Sequence, residues 1–292
     1  MKITIWVIFL SLAIAGCQFS KSVKKDLVSG LLTTGDGLSC DDVYLTVNNG
    51  KTKSSTFIYG EKFFINFNNI EGFKKENESV FPGMKIFVVS RTGDTVLIEK
   101  DLYSSYADGV KFSPLKLIGD LTVASPMKSN EVYTLNLIIW DKKGQGKLTS
   151  KLDFKIIPNG LIRTEANKIS FNEIYLFSKE RDAVIPDNMI KFNENIYFIF
   201  EGISGLKNIN GLVFPGLSFK ATDDKGKIIL DYKDLFTEYS INGVPEADFK
   251  TRVSSHFTIP DMQLKNPLHC KLTICDKKGD SSINVSAELT IE

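Results

Sequence analysis

The sequence predicts an all-β chain in which one sandwich-sized unit is used twice, and three observations carry that expectation. Short apolar or alternating runs, separated by turn residues, recur from Gly30 onward. The tripeptide Phe81-Pro82-Gly83 returns as Phe214-Pro215-Gly216. Further downstream, Asp141-Lys142-Lys143-Gly144 is repeated letter for letter as Asp276-Lys277-Lys278-Gly279.

The strands expected in the first copy lie at 31–34, 43–47, 62–67, 84–90, 95–99, 121–124, 132–140 and 148–157. Seven or eight short strands in this length resemble an immunoglobulin-like sandwich. On the 132–140 strand, Tyr133, Leu135, Leu137 and Ile139 share one face and are assigned to the core. Thr134, Asn136, Ile138 and Trp140 share the other, whose half-apolar character suggests a neighbouring strand end, the other repeat or a partner. Pro82-Gly83 and Pro215-Gly216 suit type II turns, and the Asp-Lys-Lys-Gly segments suit type I turns with Gly in the left-handed position. Asp101 and Asp234 are placed to cap a single helical turn reaching Tyr106 and Tyr239.

The match extends outward. Gly30-Leu31-Leu32 pairs with Gly160-Leu161-Ile162, Val43-Tyr44-Leu45 with Ile174-Tyr175-Leu176, and Phe67, Ile70 and Gly72 with Phe200, Ile203 and Gly205. A period this long describes two tandem domains rather than a solenoid. Pro158-Asn159-Gly160 marks the boundary, giving repeat 1 at 30–158 and repeat 2 at 159–292.

Ahead of the repeats, Lys2 is followed by an apolar run to Ala15, too short to span a bilayer and shaped like a cleaved export signal at 1–16. Ile14-Ala15-Gly16-Cys17 resembles the lipobox of bacterial lipoproteins, in which cleavage precedes the cysteine and that cysteine carries the lipid. The resemblance covers the first 17 residues. It implies lipidation of Cys17, a tether at 17–29 and a membrane-anchored envelope protein. Gln18 follows the cysteine, where an aspartate commonly retains enterobacterial lipoproteins in the inner membrane, so the resemblance favours the outer membrane. The tether holds Lys21, Lys24 and Lys25 and lacks the acidic cluster of surface-exported Bacteroidetes lipoproteins, which leaves periplasmic and outward-facing placements both open.

Loss of 1–16 removes Lys2 alone among charged residues, so 35 basic residues balance 35 acidic ones. That balance argues against a nucleic-acid surface, which needs a basic excess. Cys270 and Cys275 lie too far apart on one extended strand to bridge each other, whereas a link between Cys40 and Cys275 stays open. Cys270 is expected in the core with Leu268, Leu272 and Ile274.

The chemistry-bearing residues are sparse. His256 and His269 are the only histidines, and neither stands at metal spacing from another ligand or beside a nucleophile motif. Asp223-Asp224 before Gly226 could begin a calcium loop, but the alternating acid or amide pattern is missing and a plain hairpin turn is preferred. Asp94-Thr95-Val96 resembles the short O-glycosylation signal of Bacteroidetes. No cofactor motif appears. Tyr103 with Tyr106, and Phe236 with Tyr239, could offer ring platforms to a sugar or peptide, although their presence in both copies reads first as structural. Trp140, whose counterpart is Cys275, is the stronger binding residue, because duplicated domains keep what folds and diverge in what binds. Trp140, Tyr103 and Tyr106 are therefore the candidate ligand contacts of a non-catalytic binding or accessory module for a glycan or outer-membrane protein. The alternatives are a hydrolase with an unrecognised carboxylate pair and a structural spacer.

Overall fold

The computed structural model describes residues 21–292 apart from Leu27, so Cys17 and the expected export signal lie outside the described residues. Repeat 1 contains β1 (Lys21–Lys25), β2 (Leu32–Asp36), β3 (Asp42–Val47), β4 (Gly50–Thr52), β5 (Thr56–Ile58) and β6 (Lys62–Asn68). It continues with β7 (Pro82–Ser90), β8 (Thr95–Glu99), β9 (Leu117–Thr122), β10 (Val132–Asp141) and β11 (Lys147–Ile157). Repeat 2 contains β12 (Ile162–Asn167), β13 (Glu173–Ser178), β14 (Ala183–Val184), β15 (Met189–Ile190), β16 (Ile196–Glu201), β17 (Leu212–Val213) and β18 (Pro215–Thr222). It closes with β19 (Ile228–Tyr232), α1 (Thr237–Asn242), β20 (Val244–Pro245), α2 (Glu246–Thr251), β21 (Val253–Phe257), β22 (Leu268–Asp276) and β23 (Ser282–Ile291).

Apart from β1, which adds an edge strand to repeat 1, the two repeats share one strand order. One sheet of repeat 1 runs β1-β2-β11-β10-β7-β8 and the other β4-β3-β6-β9. Repeat 2 has β12-β23-β22-β18-β19 and β14-β13-β16-β21. Even the parallel pairing of β5 with β11 recurs as β15 with β23. The fold is all-β, two immunoglobulin-like sandwiches in tandem. Among the described residues no helix is long and apolar enough to cross a membrane.

Alternation places the core as the pattern requires. Tyr133, Leu135, Leu137 and Ile139 of β10 are buried against Phe63, Ile65 and Phe67 of β6 in a single apolar cluster. Phe57 stacks on Phe63 with ring centroids 4.1 Å apart. In repeat 2, Phe198, Phe219 and Phe257 fill the equivalent space, and Cys270 joins them with its thiol pushed up to about 12 by burial. Cys40, Cys270 and Cys275 are all free thiols.

Several local expectations are corrected. The strand expected at 121–124 lies earlier, at β9. Residues 21–25 are not part of a free tether: β1 pairs antiparallel with β2 along its length, from Lys21 opposite Asp36 to Lys25 opposite Leu32. Pro82-Gly83 and Pro215-Gly216 do not form turns but open strands β7 and β18, a position where proline is tolerated. Gly83 and Gly216 have no positive φ. Gly83 is required because it faces Trp140 across β7 and β10, and a Cβ there would overlap the indole. Gly144 and Gly279 likewise lack the left-handed conformation; a Cβ on either would overlap the carboxylate of Asp141 or Asp276. Asp101 and Asp234 cap no helix. The chain after Asp101 forms successive turns, and α1 starts beyond Phe236 without a side-chain cap.

Candidate functional site

The duplicated letters form one buttress, present twice. Asp141 is buried at the end of β10, and its carboxylate accepts the backbone N–H of Lys74 at 2.7 Å and of Lys143 at 2.9 Å. Asp276 does the same at the end of β22, accepting Lys207 at 2.6 Å and Lys278 at 2.9 Å. The Lys142 N–H donates to the Phe81 carbonyl and the Lys277 N–H to that of Phe214, which ties each hairpin to the segment opening the next strand.

Beside it, Asp101 accepts the N–H of Met84 and Tyr103 and pairs with the Lys142 ammonium at 2.7 Å. Asp234 accepts the N–H of Leu217 and Phe236 and pairs with Lys277 at 3.1 Å. Burial opposes the charge on Asp101, but Lys142 and the two N–H donors outweigh it, so the carboxyl titrates below its ordinary range. Burial also opposes the charge on Asp234, and the donors with Lys277 again prevail. These residues conserve geometry between the copies and serve the fold.

The three aromatic candidates do not form one platform. Tyr103 is half-buried, held to β7 by the Leu102 N–H on the Met84 carbonyl, and its hydroxyl meets the backbone of Ile118 in β9. It bridges the two sheets. Tyr106 packs at 5.4 Å from the Tyr103 ring and is 48% exposed. Trp140 lies half-buried on the outer face of β10, over Gly83. Sequence reasoning missed other exposed rings and branches: Phe112 in repeat 1, and Leu235 and Ile241 beside Tyr239 in repeat 2. Tyr106 and Phe112 sit on the connection from β8 to β9, and the other three on its counterpart from β19 to β21. A lone Phe in a polar stretch, as in Lys111-Phe112-Ser113-Pro114, was the available signal.

Two carboxylates do stand opposite each other on neighbouring strands, but they form a joint between the repeats. Glu173 and Glu201 are register partners on β13 and β16. Glu173 accepts both the N–H and the hydroxyl of Ser129, at 2.6 and 2.8 Å. Glu201 accepts the hydroxyls of Tyr175 at 2.7 Å and Tyr59 at 3.3 Å. Burial pushes the Glu173 carboxyl up; the Ser129 donors offset only part of that, and the Glu201 charge adds to it. Tyr175 and Ile199 belong to the apolar cluster of repeat 1, with Phe177, Val184 and Tyr197 packed against it.

The remaining sequence candidates resolve into ordinary contacts. Asp223 accepts the N–H of Lys225, Lys227 and Lys265, bracing a hairpin with Gly226 at positive φ. His256 packs against Tyr197 with the rings tilted and their centroids 5.6 Å apart, and His269 lies 3.6 Å from Asp224 and 3.7 Å from Glu288. Among the described residues no group of three or more His, Cys, Asp or Glu is arranged to hold a metal ion.

Neither a protein-family model nor a curated protein matches the chain. Among solved structures, a protein described as pT26-6p is similar over 93% of this chain and 65% of its own, at 10% identity and a TM-score of 0.25. Dimeric latent PorU from Porphyromonas gingivalis is similar over 87% of this chain and 20% of its own, at 9% identity and a TM-score of 0.27. A DUF3823 family protein from Bacteroides ovatus is similar over 73% and 90%, at 12% identity and a TM-score of 0.21. The chain thus spans less than two thirds of the first two proteins. Likeness at these scores says nothing of function.

Proposed function

We propose that the chain is a lipid-anchored protein of the bacterial cell envelope, placed on the outer membrane, that acts by binding a glycan or an envelope protein and performs no catalytic step. One observation carries the binding part of this reading. Five large apolar side chains, Tyr106, Phe112, Leu235, Tyr239 and Ile241, are exposed on the two equivalent crossover connections, one in each repeat. Exposed apolar groups collected on loops over a rigid scaffold mark contact surfaces. Asp101 and Asp234, by contrast, are engaged in bracing backbone, and Glu173 in joining the repeats. A second reading, a rigid spacer, draws support from the Glu173 and Glu201 bonds that cross between the repeats.

Anchoring at Cys17 has a physical consequence. Because β1 begins at Lys21, four residue steps of at most about 14 Å separate the lipidated residue from the first sheet. The sandwich is held against the membrane rather than on a long tether. In cells fed an alkyne fatty acid, the wild-type protein is expected to take up label and fractionate with membranes, and Cys17→Ser to lose both properties. An unlabelled wild-type protein, or a Cys17→Ser variant that stays in the membrane fraction, rejects the anchor.

A further inference from the structure

We infer that repeat 1 carries a binding site for a neutral oligosaccharide, in the cleft between the hairpin at 76–79 and the segment at 110–115; this deepens the binding-module reading and rests on it. The cleft has a volume of about 340 Å³ and is lined by Glu71, Phe73, Lys75, Glu78, Lys111 and Phe112, among others.

The comparison of the two copies singles it out. Val80 bridges to Val110 in repeat 1 as Val213 pairs with Val244 in repeat 2. Beyond that point the copies diverge. In repeat 2 the chain enters α2, which buries Phe249 against Phe236 and seats its first residue on the neighbouring hairpin, with the Glu246 N–H on the Gly211 carbonyl. In repeat 1 the same stretch is Lys111-Phe112-Ser113-Pro114, without a helix, and Phe112 is 70% exposed. The place that repeat 2 fills with its own helix is left open.

The hairpin diverges in the same sense. Residues 76–79 and 209–212 are closed by the same reciprocal backbone bonds, Glu76 with Ser79 and Ile209 with Leu212. Both central residues take positive φ in each, Asn77 and Glu78 in one, Asn210 and Gly211 in the other. Such a turn is made for Asn-Gly, because only glycine reaches this region without a steric cost. Repeat 1 instead has a glutamate at the glycine position, and that glutamate lines the cleft. Local folding does not account for it.

The lining selects the ligand. Two lysines and two glutamates leave it without net charge, which suits an uncharged molecule rich in both donors and acceptors. The exposed Phe112 ring offers a flat apolar surface to the C–H face of a pyranose, with the Glu71 and Glu78 carboxylates among the lining groups to accept from its hydroxyls. An extended peptide strand is disfavoured, since floor backbone groups are already paired: the Ile70 N–H with Leu115, and Val80 with Val110 in both directions.

The test is glycan-array screening followed by titration calorimetry with the full-length protein in detergent, using neutral oligosaccharides as probes. Wild type is expected to bind a neutral glycan, and Phe112→Ala and Glu78→Gly each to weaken that binding at least about tenfold. Glu78→Gly relieves the unfavourable φ, so its thermal midpoint should be unchanged or higher, which separates lost binding from lost folding. Retained affinity in Phe112→Ala together with loss in Ile241→Ala would place the site in repeat 2, overturning this assignment while leaving the binding-module reading intact. Absence of binding to every neutral glycan, with an envelope protein captured through Tyr106, would overturn the ligand class alone. If neither glycan nor protein is bound, both readings fall.

Discussion

Asp276→Ala is expected to lower the unfolding free energy by about 2–4 kcal/mol, because it removes the side-chain acceptor of two backbone N–H groups at once. Those groups belong to Lys207 and Lys278, and they fix the hairpin of repeat 2 to the loop before β17. Asp141→Ala should cost repeat 1 a similar amount through Lys74 and Lys143. Asparagine in either position keeps one acceptor oxygen and should cost less. Urea denaturation followed by fluorescence gives the measurement; a change below about 0.5 kcal/mol for both alanine variants would mean that the shared Asp-Lys-Lys-Gly letters have another cause.

Glu201→Leu is expected to destabilise the joint between the repeats by about 2–4 kcal/mol, since it leaves the Tyr59 and Tyr175 hydroxyls short of an acceptor on largely buried rings. Calorimetry should then show one broad transition separating into two. The same joint has a pH signature. Glu173 in the folded protein holds its proton above the ordinary carboxylate value of 4.5. Its contribution to stability is therefore full below that value and declines as pH rises through the raised folded value. Asp101 and Asp234 act in the opposite sense: their contribution is present above the ordinary value of 3.8 and fades as pH falls through the lowered folded values. Stability of the joint in Glu173→Gln should lose the decline on the alkaline side. A wild-type protein whose two repeats already melt independently at every pH would contradict the joint.

The duplicated frame was legible because each recurring letter answers a local demand of the chain. Alternation located β10 and β11 to within a residue or two, and the repeated Asp-Lys-Lys-Gly located their hairpin. Purpose was harder to read than position. Gly83, Gly144 and their counterparts look like turn glycines, yet none has a positive φ: a Cβ on Gly83 would overlap the Trp140 indole, and one on Gly144 or Gly279 the carboxylate of Asp141 or Asp276 in its own hairpin. β1 escaped notice because Lys-Ser-Val-Lys-Lys has no apolar periodicity; as an edge strand it is held mainly by backbone pairing along one side, with the Lys24 ammonium donating to the Asp41 carbonyl. The joint did leave a trace. Ile174 to Phe177 and Ile196 to Phe200 are apolar without alternation, unlike Val43 to Val47, and a strand covered on both faces has that pattern. The cleft in repeat 1 had no motif at all, and only the comparison of the two copies in space brought Glu78 and Phe112 together.

One aspartate-braced sandwich is present twice, with the bracing kept and the loops free to diverge. Amide hydrogen exchange at Lys74, Lys143, Lys207 and Lys278 tests it most directly, because these are loop residues that should otherwise exchange freely. All four amides are predicted to be protected to a degree approaching the central strands, and to lose protection in pairs with Asp141→Ala and Asp276→Ala. Rapid exchange at either pair in the wild-type protein would contradict it.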